Sequence, residues 1–208
     1  TLASERSAPK HNNAGCYLAR YWVIALSGDN EGFVLCFVTV LENPGHGYSG
    51  GLLMLNSLGR PLEFHCTTPV KPSRAHEILY GHTLKSHLFG ERLCQALIEK
   101  ATRRPDLILT DLDDVMSLTP PAGSQLAQLV RIEEGGGTNS VGVIGELDRS
   151  KEWGLVGETP EDLRRAQQTL SDCPAILPEE PFERIREALL EAAKAARPPA
   201  SPRNAEAA

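Results

Sequence analysis

No apolar stretch in this chain approaches the ~18 residues that a membrane-spanning helix requires, so no span is predicted. A surplus of positive charge is also missing. Lys and Arg number 21 against 27 Asp and Glu, a formal charge of -6, which argues against a nucleic-acid-binding protein because phosphate contacts demand basic surplus. The five cysteines (Cys16, Cys36, Cys66, Cys94, Cys173) contain no CxxC pair, and three fall inside apolar segments where a thiol acts as a small hydrophobe. Residues 1–15 have neither a basic region feeding an apolar core nor a small-residue cleavage site, so no secretory signal and a cytoplasmic location are predicted. HExxH and the P-loop pattern are absent, which removes the usual signatures of zincins and phosphate cradles, and the glycine-rich stretch through Ser49 runs into a strand, so no nucleophile elbow is predicted.

What remains is ordinary globular composition, 41% hydrophobic and 23% charged over 208 residues, enough for one core. The pattern predicts a disordered segment 1–19, a single α/β domain over 20–196 and a disordered Pro- and Ala-rich tail over 197–208. Residues 20–27 and 33–41 read as strands, the second apolar on both faces and therefore central. The glycine-rich loop Asn43–Gly51 leads into a buried strand at 52–56, and Pro61–Thr68 alternates Leu62, Phe64 and Cys66 against Glu63, His65 and Thr67. This gives an antiparallel three-strand meander. Pro69 and Pro72 end it. Ser73 caps a short helix over 74–80 and Ser86 a longer one to about Thr102, which crosses over to a parallel strand, Leu107–Thr110. A hairpin pairing 126–132 with 141–147 around Gly135–Gly137 follows. Thr159-Pro160 then starts a helix to about Leu170, and a last amphipathic helix covers 181–196.

Charge is uneven along the chain. Residues 60–104 carry eight basic and four acidic side chains, whereas 105–208 carry ten basic and nineteen acidic. Two constellations permit chemistry. Glu91 stands at the border of the long helix's apolar arc, and Asp111 ends the following strand with Asp113 and Asp114 just beyond. Carboxylates so placed are candidate catalytic groups and Mg²⁺ ligands. His65, Cys66, His76, His82, His87 and Cys94 fall within thirty residues, a density that raises zinc, though their spacing fits no known site. His87 and Cys94 share the apolar arc of an α-helical wheel. His65 reaches them only if the polar face of its strand is the covered one, which its alternation argues against. Pairing of Cys66 or Cys94 with a histidine as nucleophile has no supporting feature.

The order of three antiparallel strands, a helix and a strand ending in Asp resembles the core of ribonuclease-H-like nucleases. Gly90-Glu91-Arg92-Leu93 with Arg104-Pro105-Asp106-Leu107-Ile108-Leu109-Thr110-Asp111 is similar in kind to the helix Glu and strand Asp of the endonuclease V family. The resemblance implies metal-dependent phosphodiester cleavage with Glu91 and Asp111 as ligands. It departs at the first strand, which carries no acid. Glu42 lies one residue past its end. The run Gly59–Thr67 with Ile78-Leu79-Tyr80-Gly81 also resembles a bacterial protein family without established activity.

Two functions compete. One is a non-catalytic protein-interaction or regulatory module that binds an unidentified protein partner through a sheet edge or the helix 181–196. The helix is then dispensable for folding, and truncation after Pro178 abolishes binding alone. The other is a metal-dependent ribonuclease-H-like nuclease, active or degenerate, with Mg²⁺ as its cofactor. Whether the chain is an enzyme is left open by the residues.

Overall fold

The computed structural model describes residues 21–25, 32–131, 143–147 and 150–195. The expected segment 1–19, the tail from 197 and the turn around Gly135–Gly137 lie outside these residues. Strands β2 (Leu35–Asn43), β3 (Gly47–Leu55) and β4 (Pro61–Thr67) form the antiparallel meander. β2 pairs in parallel with β5 (Leu107–Thr110), which in turn is parallel to β6 (Gln125–Arg131). With β1 (Tyr21–Ala25), β7 (Val143–Leu147) and β8 (Ser150–Gly157) the mixed sheet runs β1-β4-β3-β2-β5-β6-β8-β7. The mixed α/β architecture and the parallel crossover agree with the sequence pattern.

Helices cover both faces, which is why β2 is apolar on both from Leu35 to Val38. Cys36 and Val38 point into a layer made by a long helix built from α2 (Leu84–Ser86), a π-helical stretch His87–Cys94 and α3 (Gln95–Lys100), while α1 (Arg74–Tyr80) adds no residue to that core. Leu35 and Phe37 point the other way, toward α4 (Pro160–Ser171) and α5 (Glu180–Ala195). Thr159 caps α4 by accepting from the Asp162 N–H, with Pro160 in the first turn, as its sequence predicts. On α5, Phe182, Ile185 and Leu189 are buried, and the Phe182 ring meets Phe37 edge to face at 5.4 Å.

The structure corrects the sequence reading at four places. The glycine-rich stretch is strand from Gly47 onward. A Cβ at Gly51 would collide with Ile185, and one at Gly50 would sit 3.1 Å from Leu97, so these glycines let a helix approach the sheet on each side. Only Asn43–Gly47 turns, and Gly47 adopts φ +97°, packed against the Val70 backbone.

The expected pairing of 126–132 with 141–147 is replaced by insertion of β8. Leu129 stands opposite Leu155, and Ile144 opposite Val156. β8 escapes a pattern reading because Gly154 and Gly157 interrupt it, yet Leu155 and Val156 fill the core.

Ser86 does not cap the long helix. It lies within it and donates to Asp114 at 2.9 Å, while the helix starts at Leu84 and ends at Lys100. Its middle is π-wound, so the α-helical wheel fails there: Cys94 is fully buried, but His87 is half-exposed. Finally, the polar face of β4 is not solvated. Glu63, His65 and Thr67 are buried like their apolar neighbours.

Candidate functional site

The three acids singled out from sequence do not converge. Asp111 extends the β5 register beyond the pairing of Val38 with Thr110, which brings it beside Thr39 of β2. Its Oδ2 accepts from Arg186 of α5, a residue 75 positions away, and its Oδ1 is buried without a hydrogen-bond partner. Thr39 is fully buried and its hydroxyl is also unpartnered. Glu42 lies within β2, near its end, and is exposed. Asp113 is exposed on the 3-10 turn Asp113–Val115, and Asp114 is engaged by Ser86. Glu91 accepts from His87 Nδ1 at 2.7 Å on the long helix. Among the described residues no group of three or more His, Cys, Asp or Glu is arranged to hold a metal ion.

The second constellation disperses for a related reason. Burial of the polar face of β4 does bring His65 beneath the long helix, but its Nε2 is taken by Glu63. Glu63 also accepts from the Thr102 N–H at 2.9 Å, the Thr102 hydroxyl at 3.1 Å and the Arg103 N–H at 3.3 Å, fastening the end of the helix to the sheet. Burial pushes the Glu63 carboxyl up, but the Thr102 N–H, the His65 ring and the Thr102 hydroxyl outweigh it and hold it below the ordinary carboxylate value. Cys66 faces the opposite layer, and His82 is exposed. Burial drives the thiols of Cys36 and Cys94 well above their ordinary value, so neither is a thiolate nucleophile.

Glu91 and His87 instead belong to an open cleft of about 510 Å³ between α1 and the long helix. Its lining is mixed: Val70, Pro72, Leu84, Leu88, Leu93 and Ala96 contribute apolar surface, alongside slightly more polar surface. Val70 is fixed there by reciprocal backbone hydrogen bonds with Tyr48, 2.9 and 2.8 Å long. One wall is a ladder of rings. Tyr80 stacks on His87 at 4.4 Å and 16°, and His76 on Tyr80 at 6.2 Å and 26°. The i,i+4 spacing of His76 and Tyr80 sets their order on α1, and the Ser73 cap holds His76 through a 2.6 Å contact between Oγ and Nδ1. Along the long helix Arg92 and Glu99 join Glu91. Gln95 accepts from the Thr119 N–H at 3.1 Å and donates to Glu99 at 3.4 Å, which orients that carboxylate.

Beside the cleft, α1 buries none of its residues. Ile78 is 66% exposed and Leu79 81%. Sequence reasoning found Glu91 and His87 but assigned them to different sites, since nothing local announces that the chain winds as a π-helix between them. The signal that was available is the unusual apolar pair Ile78-Leu79 on a helix too short to bury it. No family model matches the chain, and no curated protein matches it.

Proposed function

We propose that the protein is a non-catalytic protein-interaction or regulatory module whose working surface is α1 and the cleft beside it. The observation that carries this reading is the exposure of Ile78 and Leu79 on a helix with no buried residue, since large apolar side chains left on an otherwise polar helix mark contact surfaces. Of the two surfaces expected from sequence, a sheet edge and the helix 181–196, the helix has its apolar side taken up by the core through Phe182, Ile185 and Leu189. The pairing of Asp111 with Arg186 and of Glu91 with His87 fits a module that does no metal chemistry.

The test is proximity cross-linking of the full chain in cells, compared with the double variant Ile78→Asp, Leu79→Asp. The variant should keep its thermal midpoint, because surface substitutions away from packed features shift stability by about 0.5 kcal/mol or less. It should lose the cross-linked partner. Retention of the same partner would remove α1 from the reading.

One observation favours a second reading, a metal-dependent ribonuclease-H-like nuclease. The central strands run β4-β3-β2-β5-β6, with β5 parallel to β2 and Asp111 at its end. The residues present do not fit Mg²⁺, however: Arg186 already neutralises Asp111, and Thr39 occupies the neighbouring strand position. The expected result is no Mg²⁺-dependent cleavage of DNA or RNA by the wild type. Cleavage abolished by Asp111→Asn would reverse the order of the two readings.

A further inference from the structure

We propose that the protein assembles head to tail with further copies of itself, the exposed stripe of α5 on one copy lying in the cleft between α1 and the long helix of the next. This deepens the interaction reading, on which it rests, by naming the partner as a second copy of the chain.

The two helical layers carry opposite charge. Residues 69–104, which contain α1 and the long helix, hold seven basic and three acidic side chains, whereas 160–195, which contain α4 and α5, hold five basic and eight acidic. The three acids of the first layer are already engaged, Glu77 by Arg74, Glu91 by His87 and Glu99 by Gln95. Lys71, Lys85, Arg92 and Lys100 are exposed and make no ion pair among the described residues. Uncompensated cations thus accompany the exposed Ile78 and Leu79 on one layer. The helix α5 presents the complement. Glu183, Glu187 and Leu190 follow at i, i+4 and i+7, so they share one stripe, and all three are exposed. Neither glutamate makes an ion pair among the described residues. Leu177, 67% exposed, adds a second apolar side chain just before the helix.

Shape agrees with charge. The cleft is lined by long-helix residues from Leu84 to Glu99, roughly 20 Å of axis, and α5 with its 16 residues is about 24 Å long. A lining slightly more polar than apolar suits a charged stripe with an occasional leucine, in the manner of a helix laid in a groove. The core faces of α5 and of the long helix lie on opposite sides of the sheet, so the α5 of one copy cannot fill its own cleft. The contact is then heterologous, and every assembly that does not close keeps one free cleft and one free stripe.

Sedimentation velocity of the full chain from about 10 μM to about 1 mM tests the proposal. Species beyond two copies should appear as concentration rises, and raising NaCl from about 50 to about 500 mM should weaken association at least about tenfold. The variant Glu183→Lys, Glu187→Lys removes the acidic stripe, and Ile78→Lys, Leu79→Lys removes the apolar side of the cleft while keeping it basic. Each variant alone should be monomeric. Mixed, they retain one native stripe and one native cleft, so 1:1 pairs should form and nothing larger. All four positions are exposed, and thermal midpoints confirm folding. A wild type that stays monomeric, stops at two copies or associates regardless of salt would overturn the proposal. So would a mixture that forms no pairs, or a monomer that instead sediments with phosphatidylserine vesicles. A monomeric chain whose in-cell cross-link to a different protein is still lost on Ile78→Asp, Leu79→Asp would strike self-assembly alone and leave the interaction reading standing.

Discussion

A chain truncated after Pro178 should lose cooperative folding altogether. The deletion removes Phe182, Ile185 and Leu189, which are 2%, 0% and 3% exposed and close one face of the sheet over Phe37 and Leu53. Burying each such side chain is worth about 1.5–3 kcal/mol, so the three together supply roughly 5–9 kcal/mol. A domain's whole stability is about 5–15 kcal/mol. Gly51, shaped to receive Ile185, would face water with no side chain to shield the strand. Amide dispersion by NMR and a urea titration followed by circular dichroism measure the outcome. Phe182→Ala, expected to cost about 3–5 kcal/mol, grades it. A truncated chain that still unfolds in one sharp transition would show α5 to be accessory, as the amphipathic pattern alone suggests.

The next largest effect is expected at Glu63. Glu63→Ala should cost about 3–5 kcal/mol, because it leaves His65 buried without its carboxylate and strips the acceptor from Thr102 and Arg103. Its carboxyl is held below the ordinary value in the folded state, so the stability it adds is complete above the unfolded carboxylate pKa of about 4.3. That contribution is lost as pH falls through the lower folded value. Urea midpoints of wild type and Glu63→Gln should therefore differ most at neutral pH and converge on acidification. A gap that stays constant down to about pH 3 would mean that the carboxylate charge contributes nothing.

Much of the architecture is legible in the sequence where the local pattern is unambiguous. The continuous apolar run from Phe33 to Leu41 announces a central strand, and Thr159-Pro160 announces a helix start. The failures share a cause, which is that the deciding contact is remote. Gly50 and Gly51 look like loop residues until Leu97 and Ile185 arrive from elsewhere in the chain. Alternation along β4 suggests one wet face, yet the buried partners of Glu63 come from residues 102 and 103. Asp111 reads as a catalytic carboxylate because its strand says nothing of Arg186. The candidate site was half visible. Glu91, His76 and His87 stand out in the sequence, but Tyr80, Gln95 and Glu99 do not, and the cleft depends on a winding of the helix that no periodicity rule anticipates.

The two faces of the sheet also differ in when they close. The layer of the long helix comes from residues that closely follow the meander, so that side is sealed once β5 has paired with β2. The opposite side waits for α5, about 80 residues later. At a synthesis rate of roughly 5–20 residues per second, that face stays open on the order of ten seconds on the ribosome. Phe37, Leu53 and Leu109 are exposed for that interval. The nascent chain thus has a sticky side with a lifetime set by translation, during which holding chaperones would find it.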